Sequence, residues 1–270
     1  MGRSRLLHRG LIPLLLLAAC GKDDDLLDAR DVAFIYTGGG GGSGYGPDKA
    51  GGAPGKIAGK VRFEGEAWKP KKLDLTTVDG FCKNSHGAEG LMSESFLVGA
   101  NGAVKDVVVY IKEGASGARW DPPKDPVVLD QIKCQYVPHV AVVQLGQKLV
   151  IKSSDGILHN VHMIGPTVPG GELNQSMSRP STLDPIEFKR PEVALRVWCE
   201  VHNWMEAWVA IVPHPFHAVT GEDGSFTIEN VPPGKYLVAA WQEKLKDRAF
   251  TMDVTVPAGG TASVELVLTR

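Results

Sequence analysis

Residues 194–212 read Ala-Leu-Arg-Val-Trp-Cys-Glu-Val-His-Asn-Trp-Met-Glu-Ala-Trp-Val-Ala-Ile-Val, and this stretch decides the fold that we expect. Two apolar, strand-like runs flank a loop that carries Cys199, His202 and Met205. A thiolate, an imidazole and a thioether at positions i, i+3 and i+6 can converge on one metal ion if the loop curls around it. The stretch therefore predicts a strand, a metal-binding loop and a second strand.

Short apolar stretches with the same character recur from Lys56 onward, between turn-forming residues. They are Ile57–Phe63, Val104–Ile111, Val140–Val143, Lys148–Lys152, Ser225–Ile228, Tyr236–Trp241, Thr251–Val256 and Ala262–Leu268. Thirty-two glycines and eighteen prolines agree with a chain rich in turns, and no long amphipathic helix pattern interrupts the series. The pattern predicts an all-β protein built from β-sandwiches.

A further ligand comes from an upstream segment, Leu158-His159-Asn160-Val161-His162, which ends another strand-like run. Two histidines and a cysteine with a weak axial methionine form the ligand set of blue-copper electron-transfer sites. Zinc is the alternative metal, because two histidines and a cysteine can also hold zinc tetrahedrally. The thioether of Met205 favours copper over zinc.

Residues 126–213 resemble the cupredoxins, the type 1 blue-copper proteins of the amicyanin and plastocyanin type. The resemblance rests on His-Asn-Val-His at 159–162, on Cys-x2-His-x2-Met at 199–205 and on the strand-glycine-strand segment at 142–150. It implies a Greek-key β-sandwich that binds one copper ion through His159, Cys199, His202 and Met205. It also implies that Asn160 ties the two ligand loops together beside the thiolate, and that His162 is not a ligand.

A site with four protein ligands leaves no position for a substrate, so the expected function is single-electron transfer and not catalysis. In the cupredoxins the electron passes through the exposed edge of the histidine on the cysteine loop, here His202. We expect Trp204, Met163 and Ile164 to form an apolar docking patch around it for transient redox partners. The alternative is that Trp204 packs inward as part of the core.

The residue pattern also fits other functions. The metal could serve delivery, storage or sensing, or the chain could be a β-sandwich binding or adhesion module with an incidental metal site. A copper oxidase or nitrite reductase would need a second copper centre. The isolated histidines His86, His139, His214 and His217 do not form one at a recognisable spacing.

The N-terminus predicts export. A basic start and a short apolar run end in Leu17-Ala18-Ala19-Cys20, which resembles a bacterial lipobox. The resemblance implies a signal peptide over residues 1–19 and lipidation of Cys20. The expected product is a periplasmic or cell-surface lipoprotein that contacts the membrane only through its lipid anchor. The alternative is an ordinary signal peptide that happens to contain a cysteine. A net charge of −2 provides no basic field for nucleic acid.

Residues 20–55 are rich in glycine and aspartate and predict a flexible tether. Beyond Cys20 and Cys199, the chain contains Cys82 and Cys134, an even pair in an oxidising compartment. A disulfide bond between them is the economical assignment. The alternative is a second metal site that these cysteines form with His86 and His139.

The C-terminal residues 214–270 resemble the later strands of a carboxypeptidase regulatory-like, transthyretin-type sandwich. Thr220-Gly221-Glu222-Asp223-Gly224 and Val231-Pro232-Pro233-Gly234 provide the turns of that family. The family's opening strands are missing there, and residues 56–125 contain candidates for them. We therefore expect one sandwich from 56–125 and 214–270 with the copper domain, 126–213, inserted into it. The alternative is two sequential domains, with 56–125 extending the cupredoxin.

Overall fold

The structure is a computed structural model that describes residues 45–48, 51–75, 80–115, 120–246, 248 and 250–270. Its strands are β1 (Gly46–Pro47), β2 (Gly55–Glu64), β3 (Val108–Glu113), β4 (Val127–Ile132), β5 (Gln135–Val137), β6 (Val140–Gln144), β7 (Lys148–Ser153), β8 (His159–Ile164), β9 (Glu172–Met177), β10 (Ser181–Thr182), β11 (Ile186–Glu187), β12 (Glu192–Trp198), β13 (Glu206–Val212), β14 (His217–Val219), β15 (Ser225–Val231), β16 (Gly234–Trp241), β17 (Phe250–Val256) and β18 (Thr261–Thr269). One short α-helix, α1 (Gly80–His86), and two 3₁₀ turns, Ala100–Gly102 and Glu243–Leu245, complete the elements. The all-β expectation is confirmed.

Strands from both ends of the described chain form one sandwich. In one sheet, β3 pairs with β14 and β16, and β17 and β1 also pair with β16. In the facing sheet, β2 lies between β15 and β18. Apolar side chains of β2, β3, β16 and β18 fill the space between these sheets, among them Ile57, Val109, Val238 and Leu266. The early strands β2 and β3 therefore fold against strands that follow them by more than one hundred residues.

The strands between β3 and β14 form a second sandwich. One sheet has the order β10-β7-β4-β5, with β11 also on β7, and the other has the order β6-β13-β12-β8-β9. β6 and β13 are parallel, and β12 pairs with both β13 and β8 in antiparallel fashion. This second sheet brings the ends of β8 and β12 side by side, which positions the two predicted ligand segments. The domain boundaries themselves stay a prediction.

Each sandwich has its own apolar core, and a third apolar cluster lies between the two sandwiches. It forms because side chains alternate between the two faces of each strand. On β13, Ala207, Val209 and Ile211 face the core of the second sandwich, whereas Trp208 and Ala210 face the first sandwich. β3 and β16 alternate in the same way, and their side chains in the shared cluster are Val108, Tyr110, Ala239 and Trp241. Because successive side chains of a strand point to opposite faces, strands buried on both sides appear as continuous apolar runs in the sequence.

Two boundaries differ from the sequence-based expectation. β3 begins at Val108 instead of Val104, because Asp106 adopts a left-handed backbone with φ of 58° that an extended strand does not permit. The predicted tether over 20–55 ends earlier than expected, because Gly46–Pro47 pairs with β16 and Gly55 opens β2. The rest of that tether up to residue 44, residues 49–50, the signal peptide at 1–19 and Cys20 lie outside the described residues. Within the described part of the chain, no helix is long and apolar enough to cross a membrane.

Candidate metal centre

The loop between β12 and β13 curls back on itself, as its predicted role requires. The Cys199 amide donates to the Met205 carbonyl oxygen at 3.1 Å, and the Met205 amide donates to the His202 carbonyl oxygen at 2.8 Å. Next to the loop, Trp198 at the end of β12 pairs with Glu206 at the start of β13. The loop is therefore held at both ends, and its three candidate ligands cannot spread apart without breaking backbone hydrogen bonds.

His159, on β8, completes the cluster. Ligand atoms of His159, Cys199 and His202 all lie within 4.8 Å of one another. The two Nδ1 atoms of the histidines are 3.0 Å apart, and Cys199 Sγ lies 3.8 Å from His202 Nδ1. His159 is fully buried, and Cys199, His202 and Met205 are each at most 2% exposed. The structure thus brings together three of the four predicted ligands, and the fourth, Met205, is buried in the same closed loop.

Asp155, which the sequence analysis missed, holds the outer nitrogen of His159. Its Oδ2 lies 2.8 Å from His159 Nε2. Because an ionised carboxylate only accepts hydrogen bonds, the hydrogen lies on Nε2 and the Nδ1 lone pair points toward His202. Two imidazoles and a cysteine sulfur, with a methionine in the same loop, are the soft donor set of copper. These side chains fit a copper ion, and no carboxylate is among the candidate ligands that would bind it.

Asn160 has the supporting role that the resemblance implied. Its amide donates to Cys199 Sγ at 3.3 Å, which anchors the sulfur. Its side-chain oxygen accepts from the Glu200 amide at 3.3 Å, and its side-chain nitrogen donates to Asn174 at 2.6 Å. These bonds link β8, β9 and the cysteine loop, so the thiolate has a defined position.

Tyr136 is a second residue that the sequence analysis missed. Its hydroxyl donates to the backbone carbonyl oxygens of Asn160 at 2.6 Å and Trp198 at 3.2 Å, one residue from each ligand-bearing position. Burial, with a smaller contribution from the charge of Cys199, raises the pKa of the Tyr136 hydroxyl well above its usual range. The hydroxyl therefore stays a donor and bridges β8 to β12. A lone tyrosine in a short strand has no sequence feature that marks this role.

The edge of His202 is not exposed, which contradicts the expected electron-entry surface. A disulfide bond joins Cys82 of α1 to Cys134 of the β4–β5 turn, with Cα atoms 5.6 Å apart. Sulfur atoms of both cysteines lie within 4.8 Å of a ring nitrogen of His202. The disulfide was expected, but its position over the histidine was not. His202 is 2% exposed because the disulfide and the surrounding loops cover it.

Of the three residues expected to form the docking patch beside His202, only Ile164 is an exposed apolar side chain. Trp204 is half-buried, its ring centroid lies 5.2 Å from that of His202, and its indole N–H donates to the Cys134 carbonyl oxygen at 3.0 Å. Met163 is fully buried, because it points into the core of the second sandwich, and only Ile164 is exposed. The inward alternative therefore describes Trp204 better, and Met163 does not belong to a docking patch.

The remaining histidines have structural partners. His86 Nε2 lies 2.6 Å from the Lys133 carbonyl oxygen, and His139 bonds Glu243 Oε2 at 2.8 Å. Because Cys82 and Cys134 form a disulfide bond and both histidines have other partners, the structure does not form the alternative metal site from these residues. His162 lies between the carboxylates of Glu200 and Glu172, at 2.5 and 2.9 Å. These contacts agree with a structural role for His162.

Known proteins match parts of the chain. The family model described as polysaccharide lyase family 4, domain II, matches residues 214–264, and it is a different family from the carboxypeptidase regulatory-like one expected there. No curated protein matches the chain. Solved structures of amicyanin are similar over 32% of this chain and 81% of theirs at 20% identity, and over 44% and 93% at 18% identity, each with a TM-score of 0.29.

A copper-containing nitrite reductase from Thermus scotoductus SA-01 is similar over 36% of this chain and 24% of its own, at 18% identity and a TM-score of 0.29. The chain therefore spans about a quarter of the length of that enzyme. The ligand assignment does not depend on these weak likenesses. It depends on the distances among His159, Cys199 and His202 and on their burial.

Proposed function

We propose that the protein is a membrane-tethered, extracytoplasmic electron carrier with one type 1 copper ion. The observation that carries the proposal is the convergence of His159, Cys199 and His202 within 4.8 Å, in a fully buried cluster. Met205 follows in the same closed loop. Two imidazoles, a thiolate and a thioether suit copper in both of its common oxidation states, which is the requirement for a one-electron carrier.

Bound copper would supply a one-electron couple between Cu(II) and Cu(I). The side chains of this chain would keep its surroundings unchanged during that exchange. Asn160 fixes the sulfur of Cys199, Tyr136 bridges the two ligand strands, and the backbone bonds of the 199–205 loop hold His202 and Met205. A site held in this way needs little rearrangement when an electron arrives or leaves. Its burial also excludes water and small substrates.

The same burial disfavours the alternative functions. A delivery site exchanges its metal readily, whereas these ligands are at most 2% exposed and tied by hydrogen bonds. Copper enzymes keep an open coordination position, and four protein ligands leave none. Storage, sensing and an incidental site on a binding module would not require a fixed cage. We therefore propose a carrier and not an enzyme.

A visible spectrum of the soluble head tests this proposal. Residues 45–270, loaded with one equivalent of Cu(II), should show an intense thiolate-to-copper band, reversible on reduction. Cys199→Ser is the matched control, because it keeps the size of the side chain and removes the thiolate. A colourless wild-type protein, or binding of zinc in preference to copper, would contradict the proposal.

The tether and the partners complete the proposal. The lipobox-like Leu17-Ala18-Ala19-Cys20 supports export and lipidation. Transient redox proteins would meet the head outside the cytoplasm, with the membrane contacted only through the lipid. Cys20→Ser should move the protein from the membrane fraction to the soluble extracytoplasmic fraction. If the variant stays in the membrane fraction, the anchor lies elsewhere.

A further inference from the structure

Asp155 is buried at 5% exposure and accepts three hydrogen bonds. Oδ2 lies 2.8 Å from His159 Nε2 and also accepts from the Cys134 amide at 2.8 Å. Oδ1 accepts from the Lys133 amide at 2.7 Å. One carboxylate thus contacts a ligand histidine and the turn that carries the disulfide.

The turn needs that carboxylate. Lys133 and Cys134 both have left-handed backbones, with φ of 52° and 60°, in the two-residue turn between β4 and β5. Glycine or asparagine usually occupies such positions, because other side chains are strained there. Asp155 accepts both amides of the turn and so stabilises this conformation. The Cys82–Cys134 disulfide is thereby held against His202.

The carboxylate also acts on His159 through charge. A ligand histidine whose other nitrogen donates to a carboxylate is more basic and has a fixed orientation. A buried negative charge that is hydrogen-bonded to a ligand imidazole favours a bound dication over a bound monocation, because little water screens the charge. Both effects favour Cu(II) over Cu(I).

We propose that Asp155 is a positioning residue that lowers the reduction potential of the copper centre and aligns both ligand histidines. It acts on His159 directly and on His202 through the Cys134 turn. This inference rests on the proposed function, since it names what regulates that site. It predicts that removal of the charge, with the shape kept, shifts the couple toward Cu(I).

Asp155→Asn tests the charge, and Asp130→Asn is its matched control. Asp130 is also buried, on the adjacent β4, and its contacts are Ser154 and Lys152 instead of a ligand. In Asp155→Asn we expect the preference for Cu(II) over Cu(I) to fall about tenfold, which raises the reduction potential by about 59 mV for a one-electron couple. Asp130→Asn should leave the potential near that of the wild type. Equal shifts in both variants would overturn the inference, because the effect would then be general electrostatics.

A second measurement uses the protein without metal, and its deciding result comes from the wild type. Nitrogen NMR of the copper-free wild-type protein should show His159 with its hydrogen on Nε2, and Asp155→Glu should retain that tautomer. The Nδ1–H tautomer in the wild type would overturn the inference even if Asp155→Asn does not fold. If the wild-type protein is blue and Asp155→Asn has the same reduction potential, this inference alone is refuted. A wild-type protein that binds no copper would refute the proposed function itself.

Discussion

The indole of Trp204 donates its N–H to the backbone carbonyl oxygen of Cys134 at 3.0 Å. This bond links the cysteine loop to the turn that carries the disulfide, across 70 residues of sequence. The ligand loop and the disulfide therefore form one packed unit around His202. An electron that enters through His202 has to pass this cover, and an exposed imidazole edge is not available for it.

Trp204→Phe should cost about 1 kcal/mol in the free energy of unfolding, because it leaves the buried Cys134 carbonyl oxygen without its donor. Urea unfolding of the copper-free protein measures it. Trp198→Phe is the control, since its indole donates to the half-exposed carboxylate of Glu200, which water can solvate. If Trp204→Phe is as stable as the wild type but reacts more slowly with redox partners, Trp204 belongs to a docking surface instead.

The double variant Cys82→Ser with Cys134→Ser should accelerate electron exchange, because it removes the disulfide whose sulfur atoms lie within 4.8 Å of a ring nitrogen of His202. The bond closes a loop with a sequence separation of 52, so its loss should also cost about 4 kcal/mol of stability. Electron self-exchange of the copper protein, followed by NMR line broadening, measures the first effect. A slower exchange would instead show that the disulfide helps to conduct the electron.

Met205→Leu should raise the reduction potential while the blue colour persists. The thioether is the weak axial donor of the predicted site, and its loss disfavours Cu(II) more than Cu(I). Voltammetry of the copper protein measures the change. Met163→Leu makes the same replacement at a fully buried position of the same core, and it should leave the potential unchanged. If both variants behave alike, Met205 is a core residue and not a ligand.

The stability of the copper-free protein should fall as the pH decreases from about 6.5 to about 4. Burial lowers the pKa of His214 to about 4, because a charged imidazole would be poorly solvated in the core, and the hydrogen bond to the Ile111 carbonyl oxygen offsets this only in part. The unfolded state binds the proton first, so protonation favours unfolding, with full stability above pH ~6.5. The loss from His214 is about 3 kcal/mol.

Urea unfolding between pH 4 and pH 7 measures this dependence. His214→Gln should flatten it, because glutamine can form similar hydrogen bonds without gaining a charge. Burial also lowers the pKa of His217 to about 4, so part of the slope should remain in that variant. An unchanged slope in His214→Gln would show that other groups govern the acid sensitivity.

Much of the centre was predictable from local spacing. The pattern of Cys199, His202 and Met205 between two apolar runs predicted a closed loop, because a hairpin brings such residues to one end of a sheet. The alternation of apolar and polar residues predicted β2, β3, β6, β7, β12, β13 and β15 to β18 to within a few residues, whereas β4, β5 and β9 were not predicted. Asp155 could not be predicted, because its partners, the Lys133 and Cys134 amides, lie more than twenty positions away and have no distinctive side-chain signature.

The sequence by itself determined the all-β class, the soft donor set and the even cysteine pair, since these follow from residue types and short-range periodicity. Only the tertiary structure decided that the disulfide covers His202, that Met163 is buried, and that Asp155 accepts from the amides of Lys133 and Cys134. These contacts join segments that are distant along the chain or depend on which face of a strand is covered. Packing between sheets determines both, and no local pattern encodes it.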